Sequence, residues 1–202
     1  MTQPAIIDIA LPDYTGIHDM TNEQYHASEG VSKSGLWTLW KKSPEHFIGQ
    51  ERKESAAMKF GTACHMAVLE PHLLERTYGC LFQGHNGTTK EGKAASQAII
   101  EQALTPLKYD DYQAVLRIRD RLHADPLIQK LVNNAQFEKS AFAIDPETQE
   151  LCRVRPDIYN PALRMMADVK TCRDASEWAF GKAIEDYGYH VQDPFYSDVW
   201  QN

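Results

Sequence analysis

The sequence lacks a long apolar run and a leader-like N-terminus. Its longest uncharged, mostly apolar stretch runs from Thr62 to Leu69, far too short to cross a bilayer. The first residues include Asp8, Asp13 and Asp19 and do not show the basic, apolar pattern of a signal sequence. We therefore expect a cytoplasmic protein with no membrane segment and no membrane partner.

Cysteine is sparse, and the four cysteines form no C-x-x-C pair. A chain of 202 residues, 43% of them hydrophobic, can build a core without disulfide staples. We interpret Cys64, Cys80, Cys152 and Cys172 as reduced, mostly buried thiols in preference to a zinc site. The composition excludes collagen-like, low-complexity and wholly disordered classes, and the length predicts a single domain over residues 1–202.

Positive charge is also scarce. The formal net charge is −7, so no global positive field attracts the chain to nucleic acid or to an anionic membrane. Residues 1–29 contain five acids and no Lys or Arg, whereas residues 30–60 contain six Lys or Arg against three Glu. Any contact with nucleic acid is therefore expected to be local, in the basic stretch from Lys33 to Lys59.

The N-terminal two thirds of the chain are predicted to be mainly helical. Residues 1–13 show no sustained period and are predicted to form a loose arm, and residues 14–135 carry helical patterns. Thr21 can cap the first of these helices, and Ser32 or Ser34 the second.

Three short runs with strand character begin at residue 136, with turn residues between them. They are Phe137–Ile144, Leu151–Ile158 and Arg164–Thr171. We predict an antiparallel meander, followed by a helix that opens at the capping box Asp174-x-x-Glu177 and extends to Asp186. A last helix is predicted from about Val191, so the fold class is α+β.

Three polar side chains in this meander suggest chemistry. Asp157 ends the second run, and Asp168 and Lys170 lie in the third, where alternate residues share a face. Neighbouring carboxylates repel unless a cation lies between them, and such hard oxygen ligands suit Mg²⁺ or Mn²⁺. A nearby Lys can orient water or offset developing charge. The pattern favours metal-dependent phosphodiester hydrolysis, with ordinary solvated residues of a sheet edge as the alternative.

The same residues resemble a known signature. Arg155-Pro156-Asp157 followed by Asp168-Val169-Lys170 is similar to the P-D…(D/E)-x-K pattern of the PD-(D/E)xK nuclease superfamily, which implies a restriction-endonuclease-like core. Gly61 and His65 resemble the G-x-x-x-H helix of RecB-type members, and Gln192 and Tyr196 resemble their Q-x-x-x-Y motif. The four matches occur in the expected order.

Several longer segments are similar to the exonuclease VIII family, the nuclease domains of prophage RecE proteins. They include Val31-Ser32-Lys33-Ser34, Cys152–Asp157, Asp168–Thr171 and Tyr189–Asp198. The resemblance implies a Mg²⁺-dependent exonuclease that digests linear double-stranded DNA 5′→3′ in phage recombination. It also implies a homo-oligomeric ring and a single-strand annealing protein as partner.

Roles are implied residue by residue. The metal ligands would be His65, Asp157 and Asp168, with help from the Val169 carbonyl, and Lys170 would be the catalytic lysine. Gln192 and Tyr196 would be supporting catalytic-site residues. Glu138 matches a family acid, although a plain strand-surface Glu is an equal alternative.

The basic stretch supplies candidates for DNA contact. Lys33, Lys41 and Lys42 are predicted to bind backbone phosphates. Trp37 and Trp40 beside them could form a stacking wedge, but core packing is the favoured interpretation for both.

The resemblance also bears on the end of the chain. The family domain continues into further strands and helices, whereas this sequence stops six residues after Tyr196. We therefore expect a C-terminally incomplete domain. One alternative is an inactive DNA-end-binding or interaction protein that retains the nuclease fold, and another is a small α+β protein without a nucleic-acid role.

Overall fold

A computed structural model describes residues 15–48, 55–85 and 88–201. These residues form a mixture of helices and short strands, in agreement with an α+β class. The helices are α1 (Asn22–Ala27), α2 (Lys33–Lys41), α3 (Pro44–Ile48), α4 (Ala56–Leu69), α5 (Pro71–Thr77), α6 (Lys90–Glu101), α7 (Tyr109–His123), α8 (Pro126–Val132), α9 (Glu177–Asp186) and α10 (Tyr189–Gln201). The strands are β1 (Gly16–His18), β2 (Tyr78–Cys80), β3 (Thr105–Leu107), β4 (Gln136–Phe137), β5 (Ser140–Ile144), β6 (Leu151–Val154), β7 (Ile158–Asn160) and β8 (Met165–Ala167).

The predicted arm over residues 1–13 lies outside the described part of the chain. The stretch predicted to be mainly helical is so, but it also contains β1, β2 and β3, which the sequence pattern did not indicate. Across the described ranges, no helix combines the length and apolar character that crossing a membrane requires.

Several helices have a Ser or Thr hydroxyl as their N-cap. The Thr21 hydroxyl accepts from the Gln24 N–H in a complete capping box. The Ser32 hydroxyl accepts from the Gly35 N–H at the start of α2, so both predicted caps are confirmed. The predicted capping box at Asp174 is wrong. Ser176 is the N-cap of α9 because its hydroxyl is the group that accepts from the Ala179 N–H, three residues further on.

The chain divides into two compact units. The described residues of the first unit are 15–48, 138–156 and 176–201, and those of the second are 55–85, 88–137 and 157–175. The prediction of one nuclease domain over the whole chain is not tested by this division and stays a prediction.

The first unit contains a three-stranded antiparallel sheet in the order β1-β5-β6. In its register Ile17 lies opposite Ala141, and Ala141 lies opposite Val154. Helix α10 packs on this sheet, and Val199 joins the buried strand residues in a hydrophobic core. The apolar face of α10 is therefore what holds the C-terminal helix in place.

The second unit is built on the packing of α4 against α7. Ala63 and Ala67, four residues apart on α4, are fully buried in a core that includes Val115 of α7. Two small side chains one turn apart allow the helices to pack closely. Strands β2 and β3 pair in parallel, and β4, β7 and β8 form an antiparallel sheet with β7 in the middle.

The three predicted strands exist, but each is shorter than predicted. The first is divided into β4 and β5 around Glu138, whose φ is 55°, in the left-handed region that breaks an extended run. The second is divided into β6 and β7 at Arg155-Pro156-Asp157, where Pro156 has no N–H to donate to a ladder. Both hairpins, β5-β6 and β7-β8, are antiparallel as expected.

The third predicted strand, Arg164–Thr171, is reduced to β8, which ends at Ala167. Asp168 and Lys170 therefore follow the strand. The prediction that they lie inside it is wrong. The cause is local, since the Val169 N–H donates to the Asp157 carboxylate and not to a neighbouring strand.

All four cysteines are free, as expected. Cys64 and Cys152 are buried, Cys80 is half-buried and Cys172 is exposed, so the prediction of mostly buried thiols holds for only two of them.

Candidate metal centre

The β7-β8 hairpin places two carboxylates side by side in the second unit. Ile158 lies opposite Ala167 in the register, so the residues one step beyond, Asp157 and Asp168, face each other. The Asp157 N–H donates to Asp168 Oδ1 over 3.2 Å, and the Val169 N–H donates to Asp157 Oδ2 over 2.6 Å. The predicted proximity of the two aspartates is confirmed, and backbone donors fix the orientation of both carboxylates.

Helix α4 supplies the third polar group. Its last turn packs Val68 and Leu69 against Ile158 of β7, which brings the preceding turn close to the start of the hairpin. His65 Nε2 consequently lies 2.6 Å from Asp157 Oδ2. The hydrophobic contact between helix and strand is thus what positions the imidazole.

A glycine one turn earlier on α4 allows this close approach. A Cβ at Gly61 would lie 3.2 Å from the Thr171 hydroxyl oxygen, closer than ordinary van der Waals contact. The bare Cα of Gly61 lets α4 pack against the segment that follows Lys170. The sequence motif includes Gly61 without indicating why a glycine is needed there. The structure supplies the reason, which is the close approach of Thr171.

Lys170 extends from the same segment. Its ammonium group donates to Asp168 Oδ2 over 2.7 Å, which agrees with the prediction that the two side chains point the same way. The Lys170 side chain is 38% exposed and the Asp168 side chain 13%. One end of the centre is therefore open to solvent while its carboxylates are largely shielded.

The electrostatic environment of Asp157 disfavours an isolated negative charge. Burial raises the pKa of Asp157, and the nearby charge of Asp168 raises it further. Hydrogen bonds from His65 and from the Val169 N–H act in the opposite direction but do not outweigh burial. The pair of carboxylates consequently favours added positive charge.

The donor set fits a divalent cation. Asp157 and Asp168 offer carboxylate oxygens and His65 offers an imidazole nitrogen, with Asp157 in contact with each of the other two. Carboxylates with one imidazole suit Mg²⁺ or Mn²⁺, with remaining positions left for water or substrate oxygens. His65 Nε2 and Asp157 Oδ2 lie within hydrogen-bonding distance of each other. A cation bound by both atoms would displace the hydrogen between them.

Other predicted site residues belong to the first unit. Gln192 and Tyr196 lie four residues apart on α10, and Tyr196 packs against the sheet core. Glu138 accepts from Arg155 Nε over 2.7 Å. Their predicted roles at the site stay predictions.

The candidate phosphate-binding lysines also lie in the first unit. Lys33 donates to the Tyr187 carbonyl, and the Lys33 and Lys41 ammonium groups lie 5.3 and 5.0 Å from the Trp37 ring centroid. Lys42 is exposed at the C-cap of α2. Trp40 is 79% exposed, so the expectation that it packs in the core is wrong. Trp40 lies in the last turn of α2, near the end of the helix, where its indole is left largely in solvent.

Comparison with known proteins identifies a family whose model covers the candidate metal centre. Residues 36–202 match the model of a family described as a PDDEXK-like domain of unknown function (DUF3799). The matched range contains the helix that carries His65 and the hairpin that carries Asp157, Asp168 and Lys170. A search of curated proteins finds no match.

Proposed function

Since this chain belongs to the family of PDDEXK-like domains, we propose that it is a metal-dependent nuclease that hydrolyses phosphodiester bonds in DNA. The observation that carries the proposal is the contact of His65 with Asp157, beside Asp168 and Lys170, in a single unit. His65 and Lys170 offset part of the charge of the two shielded carboxylates, and a bound cation would offset the rest.

The roles follow from the chemistry of each group. His65, Asp157 and Asp168 would hold the divalent cation, with Mg²⁺ as the expected ion and Mn²⁺ as the alternative. When bound, the cation supplies Lewis acidity toward the phosphoryl oxygens and a more acidic water. The Asp157 and Asp168 carboxylates are already oriented by the Val169 and Asp157 N–H groups, so little reorganisation is needed on binding.

Lys170 is the group that would act on the reacting phosphate. Hydrolysis forms a bond from a water oxygen to phosphorus and breaks one phosphorus–oxygen ester bond, while the leaving oxygen gains a proton. The ammonium group offsets the negative charge that develops on the phosphoryl oxygens. Its hydrogen bond to Asp168 Oδ2 keeps it beside the metal ligands.

A finer assignment rests on the sequence resemblance. The ordered motifs from Gly61 to Tyr196 support an exonuclease VIII type of activity, which digests linear double-stranded DNA 5′→3′ from its ends during phage recombination. A homo-oligomeric ring, a single-strand annealing partner, a cytoplasmic location and supporting roles for Gln192 and Tyr196 belong to the same proposal. A single nuclease domain spanning both units is part of it as well.

The test is degradation of linear duplex DNA labelled at either the 5′ or the 3′ end, with Mg²⁺ present and with EDTA. We expect Mg²⁺-dependent release of the 5′ label ahead of the 3′ label. Asp168→Asn and Lys170→Ala should each reduce the rate at least about 100-fold, the scale on which a lost catalytic group acts.

Matched controls come from the same unit. Asp110→Asn on α7 and Lys130→Ala on α8 remove exposed charges of the same kinds and should leave the rate within about twofold. Unchanged degradation in Asp168→Asn would show that the assignment is wrong. Binding of duplex ends without any turnover would instead support the inactive DNA-end-binding alternative.

A further inference from the structure

The first unit contains a pocket that the metal centre does not use. Its volume is about 460 Å³, within the ~300–1,000 Å³ range of small-molecule sites. One wall is a face of α2 and the other is formed where α9 gives way to α10. The residues that shape it are Leu36, Trp37, Trp40 and Lys41 on the first wall and His190 and Val191 on the second.

Helical spacing builds the first wall. Trp37 and Lys41, and likewise Leu36 and Trp40, are four residues apart and so lie on the same face of α2. This arrangement lines the pocket with two indole rings and places a cation at its edge. The α2 wall of the pocket thus presents aromatic surface with a positive charge at its edge.

The two tryptophans play different structural parts. Trp37 is fixed in place: its ring meets the His190 ring edge-on at 5.9 Å and packs over Gly188, where a Cβ would come within 2.6 Å of the indole. Trp40 is 79% exposed. An indole with so much surface in water, beside a preformed wall, is suited to stack on a flat ring.

The charges at the pocket favour an anion. The Lys33 and Lys41 ammonium groups lie over the Trp37 ring, and Lys42 follows directly on the chain. Lys41 is the cation and Glu185 the acid that line the pocket, and the Lys33 ammonium group over the same Trp37 ring adds a second cation beside this one acid. A ligand with an aromatic ring and a negatively charged group satisfies both features.

We propose that this pocket binds one unpaired nucleotide of single-stranded DNA, with the base stacked on Trp40 and the adjoining phosphate held by Lys41. Stacking on aromatic side chains beside a cationic edge is the general way in which proteins hold single strands without reading their sequence. The choice of nucleic acid over other aromatic anions rests on the proposed nuclease function. The pocket itself is formed by residues of the first unit and does not involve the metal centre.

The experiment measures binding of a fluorescent single-stranded oligothymidylate to the intact protein in EDTA, so that no cleavage occurs. Trp40→Ala should weaken binding about tenfold or more, the scale of one lost base stack. The matched control is Trp178→Ala on α9, which removes an equally exposed indole outside the pocket and should leave the dissociation constant unchanged. An oligonucleotide of the same length without bases should bind the wild type as weakly as the thymidylate binds Trp40→Ala.

A second variant keeps the test independent of the tryptophan. Lys41→Gln should reduce the dependence of log affinity on log salt concentration by about 0.7, the contribution of one phosphate contact on a single strand. Equal affinity of the wild type and Trp40→Ala, or equal binding of the baseless strand, would overturn the proposal. Displacement of the oligonucleotide by an apolar peptide but not by thymidine monophosphate would overturn it in favour of a protein-docking site.

The outcome is separable from that of the nuclease proposal. Trp40-dependent binding without any DNA degradation would uphold the pocket and contradict the nuclease. DNA degradation without Trp40-dependent binding would uphold the nuclease proposal and contradict the pocket proposal.

Discussion

Asp168 shows how the candidate metal centre is held at the level of single residues. It accepts from a backbone N–H on one oxygen and from Lys170 on the other. The prediction that Asp168 and Lys170 point the same way is confirmed by their hydrogen bond, although both residues follow β8 and the strand alternation from which it was made does not extend to them. The backbone donors could not be predicted, because they arise only once the strand has ended at Ala167.

Cys64 offers a prediction about reactivity. It lies on α4 directly before His65, is fully buried, and burial raises its pKa from 9.0 to about 11. Because the thiolate is the reactive form, Cys64 should resist alkylation by iodoacetamide at pH 8 in the native protein. Raising the pH toward 11 increases the thiolate fraction, but burial still limits access to the sulfur.

The measurement is mass spectrometry of the alkylated protein over time. Cys172 is the internal control because it is exposed and should be modified first. Both thiols should react at similar rates in denaturant. Fast native modification of Cys64 would show that α4 opens readily, which contradicts its place in the core.

At the scale of elements, the sequence predicted best the features that depend on local hydrogen bonds. The caps at Thr21 and Ser32 are confirmed because a hydroxyl three residues before an N–H is a local signal. The parallel pair β2-β3 was not foreseen, since its partners are separated by helix α6 and each strand has only three residues. The divided strands were missed because one left-handed residue and one proline outweigh an otherwise continuous strand pattern.

The junction between α9 and α10 yields a prediction about stability. Gly188 has a φ of 67°, which L side chains adopt at a cost, and a Cβ there would overlap the Trp37 ring at 2.6 Å. Gly188→Ala should therefore destabilise the protein by about 1–3 kcal/mol. Thermal or urea unfolding followed by circular dichroism measures the change.

Gly181 provides the opposite case on the same helix pair. It lies inside α9, with open space around the position of a Cβ, so Gly181→Ala should stabilise the protein by roughly 0.5–1 kcal/mol through helix propensity. The two substitutions add the same methyl group. Equal effects of both would contradict the role assigned to the Gly188 turn.

At the scale of the molecule, the chain passes from one compact unit to the other four times. Two of these passages fall at strand interruptions, between Phe137 and Glu138 and between Pro156 and Asp157. The single domain was predicted from the length of the chain, and length carries no information on how a chain divides between units. The motif order nevertheless identified His65, Asp157, Asp168 and Lys170, and these four residues do meet in the second unit.

Metal binding should appear as a change in the stability of the whole protein. A ligand at 100 times its dissociation constant adds about 2.7 kcal/mol, which corresponds to a rise in Tm of roughly 5–10 °C for a chain of this size. We expect Mg²⁺ or Mn²⁺ to raise the Tm and EDTA to reverse the rise. Asp157→Asn should abolish the shift, whereas Asp110→Asn, which removes an exposed carboxylate of α7, should retain it.

The Tm values measured without metal distinguish a metal-binding role of Asp157 from a structural one. Without a cation the Asp157 charge is buried beside the Asp168 carboxylate, so the folded protein bears a desolvation cost that a neutral amide does not. In EDTA, Asp157→Asn should therefore melt at or above the Tm of the wild type, and the order should reverse when the metal is added. A lower Tm of Asp157→Asn in both conditions would mean that Asp157 serves the fold through its hydrogen bonds and does not serve a metal.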